Sequence, residues 1–151
     1  MADSTHDDLT YEQMLLTRSA LQGAPAKARE WLLDRSAVVL IARLEASGPM
    51  SVGELAEAFG LDISTVHRQV ATAMRAGLIE RITDPHGGAA RKHRPTAEGL
   101  RRFHAEMDAR AESFRTATAD WTENEVATFT ALMRRFNQGL EELRGQPWPR
   151  P

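Results

Sequence analysis

The segment 50–99 constrains the fold more than any other part of the chain, because two short helical patterns and two strand patterns follow one another within it. The helical patterns lie at about residues 52–59 and 63–76, and Phe59-Gly60-Leu61-Asp62 separates them. Asp62 can cap the second helix, and Ala76-Gly77 is typical of a helix C-terminus. Two short helices joined by so tight a break predict a helix-turn-helix.

Two runs rich in β-forming residues follow, over residues 78–82 and 91–95, and the turn-forming segment 84–88 separates them. A helix-turn-helix followed by a β-hairpin is a winged helix. The predicted fold class is therefore mainly α with a small β-hairpin wing, and helices are expected on both sides of it.

Helical patterns flank the winged helix over residues 9–34 and 97–145. The N-terminal part breaks at Gly23-Ala-Pro25, a second helix runs over about 26–46, and Asp34-Arg35-Ser36 marks either a kink or a new cap. Two long helices are predicted after Thr96, the second starting at the capping box Thr122-Glu-Asn-Glu125. Residues 1–8 are expected to be disordered and 146–151 to form a tail, so that 9–145 is one domain.

The flanking helices carry more apolar surface than one small domain can cover. We therefore expect the first and last helices to pair with those of a second copy as dimerisation helices. A self-contained intramolecular bundle is the alternative.

Composition excludes several classes of chemistry. The chain has no Cys, which removes disulfides and thiolate metal sites and fits a reducing cytoplasm. The N-terminus is polar, and the longest apolar run, 37–42, is too short to cross a membrane, so a cytoplasmic location is expected. The five His are scattered with no i, i+4 pair, and no nucleophile elbow occurs. Neither a metal, a cofactor nor an enzyme activity is expected.

Charge is unevenly distributed along the chain. Residues 64–104 carry eight Lys or Arg against three acidic residues, while the whole chain has a net charge of −2. A basic segment on an acidic body is typical of a protein that binds a polyanion, because phosphate neutralisation releases counterions. A basic surface that only contacts solvent is the alternative.

The second helix of the helix-turn-helix has the pattern of a recognition helix. Val66, Val70, Ala73 and Met74 form its apolar stripe, and the other side carries small hydroxyl side chains and, near its N-terminal half, one long Arg. Such a face can approach a major groove closely and reach base edges. The residues predicted to contact DNA are Ser64, Thr65, His67, Arg68, Gln69, Thr72 and Arg75. A plain amphipathic surface helix is the alternative.

The hairpin supplies further cations. Strand alternation places Arg91 and His93 on one face and Lys92 and Arg94 on the other. One face is expected to meet phosphates or the minor groove while the other runs along the protein. The residues predicted to contact DNA from the wing are Arg81, Arg91, Lys92, His93 and Arg94.

The order of these elements, with Gly53-Glu-Leu-Ala-Glu57, Leu61-Asp-Ile-Ser-Thr-Val66, Ala76-Gly-Leu-Ile-Glu-Arg81 and Thr96-Ala-Glu-Gly99, resembles the MarR family of bacterial transcription regulators. The wing, Asp84-Pro-His-Gly-Gly-Ala-Ala-Arg-Lys92, is most similar to that of actinobacterial members. The resemblance implies a homodimeric regulator, typically a repressor, on a pseudo-palindromic double-stranded DNA operator.

The wing tip departs from the family pattern. Many members carry Asp-x-Arg where this chain has Gly87, Gly88 and Ala89, so the minor-groove Arg cannot be carried over. Either Arg91 takes that role or the wing contacts only phosphates, and we favour Arg91.

The resemblance also implies a small ligand, commonly an aromatic acid. A pocket built from Trp31, Arg35, His104 and Met107 would offer an aromatic wall and a cation. The alternative, which is the commoner situation for such residues, is that Trp31 and Met107 belong to the core and His104 is a solvated histidine. The alternative to a DNA-binding regulator is a winged helix that serves as a protein-protein adaptor, which would expose apolar residues on the second helix.

Overall fold

The computed structural model describes residues 4–22 and 33–150, which form six helices and one two-stranded antiparallel sheet in that part of the chain. The elements are α1 (Ser4–Gln22), α2 (Arg35–Ser47), α3 (Val52–Phe59), α4 (Ile63–Arg75), β1 (Ile79–Thr83), β2 (Arg91–Pro95), α5 (Ala97–Ala117) and α6 (Glu123–Arg144). Two compact units divide the chain between residues 32 and 33. The mainly α fold class with a hairpin wing is confirmed.

The helix α1 begins earlier than the sequence indicated. Residues 4–8 are helical, so the predicted disorder over 1–8 is wrong for them. Asp7 lies in the first turn, where a negative charge favours the helix, and the Thr10 hydroxyl donates to the carbonyl of His6 at 2.7 Å. The predicted break at Gly23-Ala-Pro25 and the predicted helix over 26–32 lie outside the described residues.

The helix α2 is the centre of the core. Asp34 is its N-cap, and its carboxylate accepts from the backbone N–H of Ala37 at 3.0 Å, so this position is a new cap. Leu40 and Ile41 are completely buried. Burying such a side chain stabilises the fold by about 1.5–3 kcal/mol. The core consists of Leu33, Ala37, Val38, Leu40, Ile41, Leu44, Leu55, Ala56, Val66, Val70, Ala73, Leu78, Ile79 and Phe103.

The helix-turn-helix begins with a capping box. Ser51 accepts from the N–H of Glu54 at 3.1 Å, and the Glu54 carboxylate accepts from the N–H of Ser51 at 2.7 Å. Gly60 ends α3 in the left-handed region, at φ 61°. Asp62 occupies the N-cap of α4 as predicted, but its side chain makes no capping hydrogen bond.

The end of α4 follows the predicted glycine cap. Gly77, at φ 72°, donates to the carbonyl of Met74, and Leu78 donates to that of Ala73, both at 3.0 Å. These two bonds form a Schellman motif, which reverses the chain directly into β1.

The hairpin is anchored by a third segment. The strands β1 and β2 pair from Ile79 opposite Pro95 to Thr83 opposite Arg91. Met50, just before α3, adds an antiparallel bridge to His93: its carbonyl accepts at 2.7 Å and its N–H donates at 3.1 Å. The wing is therefore hydrogen-bonded to the entry of the helix-turn-helix.

The two C-terminal helices have the predicted caps. Thr96 accepts from the N–H of Gly99 at 3.0 Å, and Thr122 and Glu125 form the expected capping box. Gly99 packs so closely that a Cβ there would lie 2.1 Å from the carbonyl oxygen of Leu78. No residue of α6 is buried, in contrast to α5. The helix α6 thus has a surface that the described residues leave exposed.

Candidate nucleic-acid interface

The helix α4 presents a polar, basic face to solvent. Its buried side is formed by Val66, Val70 and Ala73, as the helical angles indicated, while Met74, the fourth residue of the predicted stripe, is half-buried. The predicted contact residues divide by exposure: Ser64, His67, Arg68, Thr72 and Arg75 are exposed, and Thr65 and Gln69 are half-buried.

Each arginine on this face lies beside a threonine three residues earlier. The Arg68 guanidinium is 3.5 Å from the hydroxyl of Thr65, and that of Arg75 is 3.0 Å from the hydroxyl of Thr72. Both pairs lie on the same helix and on its solvent side. The two guanidinium groups therefore stay close to the helix while keeping donors for an external acceptor.

The wing has two faces with different surroundings. The register puts Arg81, Arg91 and His93 on one face, and Glu80, Lys92 and Arg94 on the other, which confirms the predicted alternation. Arg81 and Arg91 are exposed and have no carboxylate partner among residues 4–22 and 33–150. Their charges are available to an external anion.

His93 is not available to DNA, so its prediction as a contact is wrong. Its side chain is only 4% exposed, since the bridge to Met50 draws β2 onto the core. Burial lowers the pKa of His93, and the nearby charges of Arg81 and His67 lower it further. A neutral ring is therefore favoured, and its Nδ1 has no hydrogen-bond partner among the described residues.

Lys92 and Arg94 are engaged within the protein. The ammonium of Lys92, 14% exposed, lies 2.7 Å from the carboxylate of Glu54, and Arg94 lies 2.7 Å from Glu80. The hydrogen bond with Lys92 lowers the pKa of Glu54, and the same bond raises the pKa of Lys92. Each of these two cations therefore has a carboxylate partner within the protein, which Arg81 and Arg91 lack among the described residues.

A cleft of about 380 Å³ separates α4 from the wing. Its cationic and titratable wall consists of His67, Arg81, Arg91 and His93. Its apolar lining includes Val52, Val70 and Met74. Strand alternation placed Arg91 and His93 on one face of the hairpin, but only the tertiary fold brings that face together with His67 of α4.

The predicted ligand pocket is described only in part. Trp31 lies outside the described residues. Arg35 is exposed in the first turn of α2, and Met107 is 44% exposed on α5. The ring of His104 lies 2.7 Å from the carboxylate of Glu45, a partner that the sequence did not indicate because 59 residues separate them. A pocket built from all four residues stays a prediction.

Large apolar side chains are exposed along the flanking helices. Phe129 and Leu132 of α6 are 49% and 56% exposed, and Phe114 of α5 is exposed as well. Others on α1 and α6 are Leu9, Tyr11, Met14, Leu16, Val126, Phe136 and Leu143. Isolated exposed apolar residues are common, but a series along one helix is typical of an interaction surface.

The described residues show neither of two other kinds of site. No group of three or more metal-ligating side chains lies together in the described part of the chain. Within the same residues, no helix combines the length and hydropathy needed to cross a membrane.

A helix-turn-helix followed by a hairpin, with a basic face on its second helix, defines the class of winged helix proteins. Residues 32–98 match the model of the HVO_A0114 family. The chain is also 33% identical over 132 residues to the HTH-type transcriptional regulator YxaD of Bacillus subtilis (strain 168), covering 87% of this chain and 92% of that protein. The chain belongs to the family of HTH-type transcriptional regulators.

Solved structures identify the fold more closely. A MarR family protein from Bacillus stearothermophilus has a TM-score of 0.76 at 22% identity, covering 93% of this chain and 98% of that one. The structure of MarR also gives 0.76 at 22% identity, with 92% and 95% covered. The transcriptional regulator SlyA gives 0.69 at 18% identity, with 89% and 95% covered. The fold is that of MarR family proteins.

Proposed function

We propose that this chain is a MarR-type transcriptional regulator that binds double-stranded DNA as a homodimer. In this proposal α4 enters the major groove, and Arg81 and Arg91 of the wing reach the adjacent backbone or minor groove. The observation that carries the proposal is that the polar face of α4 and two wing cations, which have no carboxylate partner among the described residues, border the same cleft.

The face of α4 favours DNA over a protein partner. Ser64 and Thr72 are short enough for close approach to the sugar-phosphate walls, and Arg68 can reach a base edge. Leu61 and Ile63 are exposed at the helix start, an observation that by itself favours an adaptor. Two apolar side chains at the tip of a recognition helix also suit contact with thymine methyl groups.

The apolar surface of α6 supports the homodimer. Phe136→Glu should convert the dimer to a monomer, because it places a charge on the exposed apolar stripe. Gln138→Glu, at an exposed polar position of the same helix, is the matched control and should remain dimeric. Sedimentation equilibrium measures both; a Phe136→Glu protein that dimerises like the native chain would contradict this interface.

Selection of bound fragments from the source genome tests the DNA-binding proposal. We expect a pseudo-palindromic site with half-sites about one helical turn apart, because two symmetric recognition helices meet one face of the duplex. Two results together would favour the adaptor: the recovered fragments share no common sequence, and a polyanionic competitor abolishes binding to every fragment equally.

We further propose repression that a small aromatic acid relieves. The resemblance to the MarR family supports this part, and Arg35, which is exposed, is the cation offered for the carboxylate. A panel of phenolic acids should raise the melting temperature of the dimer and lower its operator affinity. Absence of a shift throughout the panel would end this part of the proposal and leave the DNA-binding part intact.

A further inference from the structure

The chain beyond α6 folds back on itself. Gly145 ends the helix, and the backbone N–H of Trp148 donates to a carboxylate oxygen of Glu141 at 3.1 Å. The Arg150 guanidinium binds the same carboxylate through both of its terminal nitrogens, one of them at 2.9 Å. Glu141 thus holds residues 146–150, the C-terminal strap, against the last turn of α6.

The indole of Trp148 lies between two other elements. It stacks on the ring of Phe59 at the end of α3, with centroids 6.1 Å apart and planes inclined by 18°. The guanidinium of Arg43, from α2, lies 5.3 Å from the indole centroid and donates to the carbonyl of Pro147 at 3.0 Å. Stacking, a cation–π contact and a hydrogen bond therefore fix one side chain.

The strap also touches the turn of the helix-turn-helix. The side-chain amide of Gln146 packs against Gly60, where a Cβ would lie 1.7 Å from its nitrogen. Gly60 is the left-handed residue that sets the direction of the chain between α3 and α4. The strap thus contacts both Phe59, the last residue of α3, and Gly60, the glycine of the turn.

We infer that Trp148 is a positioning residue for DNA recognition. Its indole holds the C-terminal strap against α3, and the strap thereby attaches the end of α6 to α3 and to the turn that follows it. The inference rests on the proposed function. No residue of α6 is buried, so α6 itself packs little against the rest of the described chain. The strap contacts supply the attachment between the end of α6 and the winged helix. The helix that pairs with the second copy and the helix that reads DNA then hold a constant relative position.

The test compares Trp148→Ala with Trp148→Phe in the full-length dimer. Trp148→Ala should accelerate amide hydrogen exchange over residues 52–62, leave exchange over 79–95 unchanged, and preserve the dimer. Its affinity for the selected operator should fall by about fivefold or more, as expected for loss of a coupling between two elements. Trp148→Phe, which keeps a ring on Phe59, should restore most of both properties.

Two results would overturn the inference. The first is that Trp148→Ala matches the native chain both in hydrogen exchange over residues 52–62 and in operator affinity. The second is that hydrogen exchange becomes faster throughout residues 33–150, which would mean that the strap stabilises the whole fold and does not position α3 in particular. If Trp148→Ala does not fold, Arg43→Gln replaces it, and the same two results decide. If the native chain binds no DNA, the exchange measurement still decides the positioning role, so failure of the proposed function remains distinguishable.

Discussion

Arg91→Ala is expected to weaken the salt dependence of DNA binding, whereas Arg94→Ala leaves it nearly unchanged. The two substitutions remove the same charge from the same strand. Arg91 is exposed on the face that lines the cleft with α4, while Arg94 is paired with Glu80 at 2.7 Å. Only a cation without a protein partner releases phosphate counterions in full when it binds.

The magnitude follows from the dimer. Each lost phosphate contact lowers the slope of log K against log salt by about 0.9, so a homodimer that loses two contacts changes its slope by about 1.8. Between about 50 and about 200 mM salt, the affinity ratio of the native protein to Arg91→Ala should therefore change by about 12-fold. The ratio for Arg94→Ala should stay nearly constant across that range.

Fluorescence titration of a labelled operator at four or more salt concentrations measures the two slopes. A far-ultraviolet spectrum and an unfolding curve for each variant confirm that the wing is intact. Equal slopes for Arg91→Ala and Arg94→Ala would refute the reasoning, because they would mean that the ion pair with Glu80 does not decide which cations reach phosphate.

Three further outcomes are expected. Arg68→Ala should cost about 1–3 kcal/mol in operator binding and relax preference at one base pair per half-site, as titration of single-base operator variants would show; an equal loss on every sequence would instead indicate a phosphate contact. Burial holds the pKa of His93 below its ordinary value of 6.5. As the pH falls below 6.5, the unfolded chain therefore takes up a proton at this residue before the folded chain does. The free energy of unfolding should decrease as the pH falls from 6.5 toward the lower pKa of the folded state. Urea unfolding at several pH values should show this loss in the native chain and in the exposed-site control His86→Gln but less of it in His93→Leu, and identical profiles for all three would refute it. Gly99→Ala should lower the free energy of unfolding by about 1–3 kcal/mol because its Cβ meets a backbone carbonyl. Gly53→Ala, whose Cβ would make only an ordinary van der Waals contact with the Ser51 hydroxyl at 3.8 Å, should be neutral or stabilising by up to about 1 kcal/mol.

The sequence predicted the local elements well because their signals are local. Capping boxes and helix-ending glycines act over three or four residues, so Thr96, Thr122 and Gly77 lie where the pattern put them. Asp62 shows the limit of such signals. It lies at the predicted cap, yet its side chain makes no capping bond there. Position followed from the pattern, but side-chain orientation did not.

Contacts between distant segments could not be predicted in the same way. Alternation showed that Arg91 and His93 share a face, but the burial of His93 depends on Met50, which lies 43 positions away along the chain. Lys92 and Glu54 are separated by 38 residues. The docking of Trp148 had no periodic signal at all, because prolines flank it and no repeat connects it to Phe59. The burial of His93 and the carboxylate partners of Lys92 and Arg94 therefore could not be predicted from the sequence.

The bridge between Met50 and His93, with the ion pair between Lys92 and Glu54, has a consequence for changes in chain length. Both contacts are made by residues of the strand β2, and neither involves the turn over residues 84–90. An insertion inside β2 would shift its register and release the start of α3. An insertion between Gly87 and Gly88 would leave both attachments intact, since doubling a loop costs only about 0.6 kcal/mol. The tip of the wing is thus the place where this scaffold can accept longer or different segments while the recognition helix keeps its support.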